Sequence, residues 1–266
     1  IIPIYFNYLA GNAGISEVDY LAYWGYAASV ATVIVALIGP ILGSVADTKN
    51  YRKPLFVISM MVGVIGCAAL SVPTSWIVFL AVFVIAKVGY NASLIFYDSM
   101  LVDVTTGERM DMVSSHGYAW GYIGSCIPFV ISLVFVLMYE KIGITMKMAM
   151  AIAFFINAAW WLLVTIPLLR KYEQNYYAEM PKHPVRDSFK RLGHTLSSIK
   201  KEKNIFLYLL AFFFFIDGVY TIIEMATAYG SALGLDSTGL LLALLVTQIV
   251  ASPCALIFSK LSKKYA

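Results

Sequence analysis

Charge is scarce in this sequence: Asp, Glu, Lys and Arg make up 13% of its 266 residues, against about 25% in a soluble domain. Hydrophobic residues make up 61% and mean hydropathy is +0.80, more apolar surface than a soluble core absorbs. A soluble globular domain is excluded. Histidine is rare too. His116, His183 and His194 lie at the ends of apolar runs or between them, and no His-Glu-x-x-His pattern occurs, so neither a metal centre nor an intramembrane enzyme is expected. No Gly-x-x-x-x-Gly-Lys-Ser/Thr stretch is present, which argues against an ATP-driven pump. Cys67, Cys126 and Cys254 are odd in number and each sits inside an apolar run, where a thiol behaves as a small hydrophobe and no disulfide is expected. We expect no cofactor, no metal and no enzymatic activity. A basic leader is lacking as well: the chain opens Ile1-Ile2-Pro3-Ile4-Tyr5-Phe6, like the tail of a helix already under way, with further sequence expected upstream.

What fills the sequence is a series of long apolar runs. A bilayer-spanning helix takes about 20 apolar residues, and after the opening stub of segment 1 seven runs qualify. Numbered 2 to 8, they are Tyr20–Ala46, Pro54–Val72, Ser75–Leu101, Val113–Tyr139, Thr145–Leu169, Ile205–Tyr229 and Ser237–Leu261. Pro40 and Pro253 fall inside segments 2 and 8 and are expected to kink them, because neighbouring helices can re-satisfy the freed carbonyls. Lys and Arg fix the orientation. Sixteen of the nineteen follow segments 2, 4, 6 and 8, two (Lys141, Lys147) lie on the other side, and Lys87 is inside segment 4; the basic side is cytoplasmic. The same clustering makes the net charge of +4 a matter of topology and not of nucleic-acid binding. Between segments 6 and 7 the polar stretch Arg170 to Asn204 carries Val185, Phe189, Leu192, Leu196 and Ile199 at helical spacing, an amphipathic helix expected to lie along the cytoplasmic interface.

Segment 2 ends Gly43-Ser-Val-Ala-Asp47-Thr-Lys-Asn50-Tyr-Arg52-Lys53. This resembles the Gly-x-x-x-Asp-Arg-x-Gly-x-Arg-Lys loop between helices 2 and 3 of the major facilitator superfamily, with Thr48 in place of the basic residue and Asn50 in place of Gly. By this reading Gly43 allows close helix approach, Asp47 offers its carboxylate to a helix N-terminus, and Asn50 tolerates the left-handed turn. Two further stretches are similar to the vacuole-effluxer-like branch of that superfamily. They are Phe96-Tyr-Asp98-Ser-Met-Leu-Val-Asp103, leading through Glu108-Arg109 to Val113–Gly124, and Asp217-Gly-Val-Tyr220-Thr221. The resemblance implies an all-α bundle of two six-helix halves, rocking about a central site lined by helices 1, 4, 7 and 10. The implied organisation is a first half at residues 1–169, a linker at 170–204 and the start of a second half at 205–266, with helices 9 to 12 beyond.

Charges within the bilayer are costly and mark function by default. Lys87 and Asn91 share a face of segment 4, and Asp217, Tyr220, Thr221 and Glu224 share a face of segment 7 at i, i+3, i+4, i+7. If segments 4 and 7 face each other, Lys87 and Asp217 stand at similar depth, to pair with each other or to hold the two ends of a zwitterion. Each charge has a plainer alternative: Lys87 can snorkel or pair structurally, and Glu224 can be solvated near the outer interface. Asp98 and Asp103, at the cytoplasmic end of segment 4, are expected to pair with Arg52 or Arg109 and not to touch a solute. Gly117, Gly121, Gly124, Gly39 and Gly43 are expected at close helix contacts.

The function these residues suggest is a secondary active transporter working by alternating access. It would export a small polar or zwitterionic solute such as an amino acid, with proton coupling. Its expected partners are membrane lipid, the small-molecule solute and protons, with no nucleic acid, and it is expected to be a monomer. A multi-pass location follows, in the plasma membrane of a bacterium or the vacuolar membrane of a fungus. A receptor or scaffold on a transporter fold is the alternative, with an intramembrane enzyme behind it.

Overall fold

The computed structural model describes residues 1–179, 184–199 and 202–265, and every regular element among them is helical. The stub of segment 1 is α1 (Ile2–Asn12), followed by α2 (Glu17–Ala46), α3 (Arg52–Ala69) and α4 (Trp76–Ser99). The short turn α5 (Leu101–Val104) leads to α6 (Met110–Leu137), which is segment 5, and α7 (Tyr139–Ile142) leads to α8 (Met146–Lys171), segment 6. The linker helix α9 spans Pro184–Ile199, and segments 7 and 8 are α10 (Lys203–Ala232) and α11 (Ser237–Tyr265). Seven of these helices are long and apolar enough to cross a membrane, so the chain is a multi-pass membrane protein.

Local chemistry sets the ends. Ser16 accepts from the Asp19 amide to open α2, and Thr145 accepts from the Met148 amide to open α8, each satisfying a helix donor that has no carbonyl partner. Pro40 and Pro253 lie inside α2 and α11 as expected, and so do Pro128 in α6 and Pro167 in α8, which the hydrophobic runs alone did not single out. In α9, Phe189 is exposed and Ser188 is buried. The side chains of Val185, Leu192 and Leu196 lie outside the described residues, as does His183.

Close helix approach occurs elsewhere than expected. A Cβ on Gly89 would stand 2.5 Å from the Gly63 amide nitrogen, and one on Gly66 would stand 2.7 Å from the Ala86 Cβ, so small residues bring α3 and α4 together. A Cβ at Gly43, Gly117, Gly121 or Gly124 would meet nothing beyond its own helix turn within 4 Å among the described residues, and one at Gly39 would meet only the Ile95 side chain at 3.3 Å. The expectation of close packing at Gly43 and along α6 is therefore corrected: those glycines border open space. Helical spacing identifies small faces but does not say which of them has a neighbour.

Two apolar clusters differ in what they join. At the end assigned to the outside, Tyr5 and Phe6 of α1 sit among Tyr20, Trp24, Phe79 and Phe154, and the same cluster takes in Ala228 of α10 and Leu241 of α11. Most of its rings pack edge-on or tilted, Phe6 and Phe79 stack at 6.3 Å, and the Trp24 and Phe83 centroids are 4.5 Å apart, near the close limit for aromatic pairs. The cytoplasmic cluster draws Ala46, Phe56, Met60, Phe96, Met100 and Ala158 from α2, α3, α4 and α8 and their ends, with no residue of α10 or α11. Only the last turns of α10, at Thr227, Ala228, Gly230 and Ser231, are buried. The helix is thus anchored at its outer end.

Gly89→Ala is expected to destabilise the protein by about 1–3 kcal/mol through overpacking against backbone, while Gly117→Ala, with open space at its Cβ, leaves stability unchanged or raises it. Thermal unfolding in detergent checks both; equal effects contradict the packing described.

Candidate functional site

Among the described residues, ion-paired side chains gather in two places. At the cytoplasmic end, Arg52 begins α3 and is 4% exposed. Its Nη2 donates to Asp47 Oδ1 at 2.9 Å, and its Nη1 donates to Asp103 Oδ2 at 2.6 Å and to the Ser99 carbonyl at 3.3 Å. Asp47 was expected to offer its carboxylate to a helix N-terminus. Its partner there is the side chain of Arg52, the first residue of α3, a charged donor where an amide offers a neutral one. Asn50 takes the left-handed conformation, φ 67°, as the turn requires. Lys53 Nζ donates to the Tyr172 carbonyl at 3.4 Å.

The Asp103 side chain is fully buried, and the segment after α8 satisfies it. Tyr172 Oη donates to Oδ2 at 2.6 Å, and the amides of Asn175 and Tyr176 donate to Oδ1 at 3.0 and 2.9 Å. Burial and the bond to Asp103 push the Tyr172 phenol up to about 12, so it remains a donor at physiological pH. The strap continues with Gln174 Nε2 donating to the Ala46 carbonyl, the Ala178 amide donating to the Asp47 carbonyl at 2.8 Å, and Thr48 bridging to Ala178. Residues 172–178 thereby tie the start of the linker to the ends of α2, α3 and α4. Sequence reading placed Asp47, Arg52 and Asp103 here but missed Tyr172, Gln174, Asn175 and Tyr176. Their partners lie some seventy residues or more away, and no local spacing marks them.

The second assembly lies within the membrane. Lys87 Nζ of α4 meets Glu224 Oε1 of α10 at 2.6 Å, with the side chains 15% and 27% exposed. Trp24 Nε1 of α2 donates to the Glu224 carbonyl at 3.2 Å, fixing that turn of α10. The expected pairing of Lys87 with Asp217 is corrected. A helical side chain leans toward its helix's N-terminus, which for α4 is the outer end, so Lys87 reaches the outer carboxylate. Asp217, seven residues toward the cytoplasm, is exposed and makes no ion pair among the described residues. Tyr220 and Thr221 are exposed on the same stretch, and Asn91 is half-buried one turn from Lys87. Asp98 and Arg109 are both exposed and pair neither with each other nor with Arg52 among the described residues; of the two helix-end carboxylates, Asp103 takes the guanidinium, beside Asp47.

On α4, Tyr90 stands edge-on to Trp161 of α8, with ring centroids 5.8 Å apart, a pairing not anticipated from sequence because a tyrosine in an apolar run looks like bulk until its neighbours are known. A cleft of about 370 Å³ between α6 and α11, lined by Ile123, Cys126, Gln248 and Ser252 among others, contains no charged side chain. Among the described residues no His, Cys, Asp and Glu cluster suits a metal ion.

The comparisons with known proteins point one way. The family described as vacuole effluxer Atg22 like matches residues 9–106 and 102–266. An uncharacterized MFS-type transporter, YxiO, of Bacillus subtilis is 42% identical over 269 residues, covering all of this chain and 63% of that protein. Autophagy-related protein 22-1 of Penicillium rubens is 26% identical over 132 residues, covering 44% of this chain and 21% of that protein. The chain thus spans less than two thirds of the length of these relatives. No solved structure matches it significantly.

Asp103→Asn is expected to cost about 3–5 kcal/mol, because it leaves the buried Arg52 charge short of its partner, and Tyr172→Phe about 1–2 kcal/mol for one hydrogen bond to a charged group. Limited proteolysis in the 172–178 strap and thermal unfolding report both losses. Unchanged protection of the strap in Asp103→Asn contradicts this arrangement.

Proposed function

The chain belongs to the vacuole effluxer Atg22-like family of major facilitator type, and from that premise we propose that it forms part of a secondary active transporter working by alternating access. Residues 1–169 supply one half, 170–204 a cytoplasmic linker and 205–266 the start of the other half. The solute is small and polar, an amino acid being the class that fits, and it is exported from the side that Lys and Arg mark as cytoplasmic.

The observation that carries this reading is the Lys87–Glu224 pair. Two ionised groups at bilayer depth are expensive. A short ion pair between them offsets the desolvation only while both are present. Because it joins α4 to α10, it acts as a bolt between the halves at the outer side, next to the apolar cluster that also takes in α10. Opening outward requires the pair to separate, and its charges then need new partners: solute, water or a proton. Asp217, on the same face of α10 and without an ion pair among the described residues, is the proposed proton-coupling carboxylate.

Reconstitution in proteoliposomes tests this. Lys87→Met is expected to lower transport at least tenfold, with restoration of expression but not of transport in Lys87→Met/Glu224→Gln, whose buried charges are both removed. Asp217→Asn is expected to abolish uphill movement while sparing downhill exchange. Uphill transport at the normal rate in Asp217→Asn contradicts the coupling role, and normal transport in Lys87→Met contradicts the bolt.

A further inference from the structure

Basic side chains that the latch does not consume gather along the same edge of the bundle. Residues 47–53 and 170–204 together hold twelve Lys and Arg against five Asp and Glu, and the strap brings the two stretches into contact. Lys49 Nζ lies 5.1 Å from the centre of the Tyr177 ring, Lys53 Nζ reaches the Tyr172 carbonyl at 3.4 Å, and the Ala178 amide donates to the Asp47 carbonyl at 2.8 Å. Lys49, Arg170, Lys171, Arg186 and Lys190 are exposed and make no ion pair among the described residues.

The linker helix α9 extends this edge. It packs against α2 and touches α10. Buried Ser188 and half-buried Ile199, eleven residues or three turns apart, share one face. Arg186, Phe189, Lys190 and Ser197, at i, i+3, i+4 and i+11, share a face on the other side, and all four are exposed. Asp187, the one acidic residue in the sequence of α9, is half-buried and has a partner of its own. An aromatic ring exposed beside two basic residues is the composition that settles at the boundary between headgroups and acyl chains.

Covalent reach keeps the helix near that boundary. Three residues, 200–202, separate Ile199 from Lys203, where the spanning helix α10 begins, so these two residues lie within about 14 Å of each other. The other end is tethered by the strap, since Ala178 is bonded to the end of α2 six residues before Pro184. The cytoplasmic leaflet carries a negative surface potential. A lipid surface offers anionic phosphates and hydrocarbon side by side, which matches Arg186 and Lys190 flanking Phe189.

We infer that α9 and the strap form a docking surface for anionic phospholipids of the cytoplasmic leaflet. Arg186 and Lys190 meet the phosphate-bearing headgroups, Phe189 enters the boundary beneath them, and Lys49 and Lys171 extend the contact. The inference rests on the membrane topology and stands apart from the transport reading. Lipid charge then sets where α9 lies and, through the three-residue joint, where α10 begins, a half-helix without a buried residue.

The complete protein in nanodiscs of phosphatidylcholine, with or without phosphatidylglycerol, tests this by amide hydrogen exchange in residues 184–199. Two basic residues at an anionic surface shift an equilibrium by about thirtyfold. Phosphatidylglycerol is therefore expected to slow exchange there by roughly tenfold or more, and high salt to reverse the slowing. Arg186→Gln/Lys190→Gln is expected to remove the effect and Arg186→Lys/Lys190→Arg to keep it, with thermal unfolding in neutral lipid unchanged in both. Exchange indifferent to phosphatidylglycerol, or slowed equally in the glutamine variant, overturns the docking surface. So does equal slowing by inorganic phosphate in neutral nanodiscs, which marks a soluble-anion site, or slowing by polyglutamate and not by lipid, which marks an acidic protein partner.

Discussion

The 2.6 Å contact between Lys87 and Glu224 constrains much of the rest. A lysine and a glutamate at bilayer depth each carry a desolvation cost that only a partner or water removes, so α4 and α10 must stay within side-chain reach while the site is dry. Trp24 locks the register by bonding the Glu224 carbonyl, and the outer aromatic cluster closes over the top. The buried residues of α10 all lie in its last turns, and its cytoplasmic half, from Lys203 to about Asp217, has no buried residue. The arrangement is sealed on one side of the ion pair and polar on the other.

The cytoplasmic latch works by the opposite economy. Arg52 and Asp103 are buried in a network where nearly every charged atom has a partner, and the partners come from a strap that belongs to the linker. The linker's start therefore travels with α2, α3 and α4. Arg52 Nε, Thr48 Oγ1, Ser44 Oγ and Gln174 Oε1 are buried there without hydrogen-bond partners in the structure. Each such group costs about 1–3 kcal/mol, which offsets part of what the surrounding hydrogen bonds contribute.

The helices were legible because the bilayer imposes one strong rule: every backbone polar group must bond within its own segment, which demands long apolar runs. All seven spanning segments therefore appear where hydropathy put them, with edges shifted by a few residues at Glu17, Arg52 and Ala232. The Asp47, Arg52 and Asp103 cluster was legible because its residues flank helix ends with few alternatives. Pairing inside the membrane was not. Choosing Glu224 over Asp217 depends on side-chain lean and on how far α10 is shifted along α2, and neither quantity leaves a trace in spacing. The contact of Tyr90 with Trp161 was hidden for a related reason, since it joins α4 to α8 and leaves no mark in local spacing. The α3–α4 glycine contact shows the same limit, as Gly121 and Gly124 have the same three-residue spacing as Gly63 and Gly66, yet a Cβ on either would meet nothing beyond its own helix turn within 4 Å among the described residues.

The central claim is that α10 is fastened to the first half at its outer end and free of it at the cytoplasmic end. Pulsed electron–electron distances between spin labels test it directly, with one pair at Val18 and Leu233 on the outer side and another at Val104 and Phe206 on the cytoplasmic side, all exposed positions. In solute-free membranes the outer pair is expected to give a single narrow, short distance and the cytoplasmic pair a longer one. Charge neutralisation in Lys87→Met/Glu224→Gln is expected to broaden the outer distance alone. A long outer distance with a short cytoplasmic one, or an outer distance indifferent to the double substitution, contradicts the account.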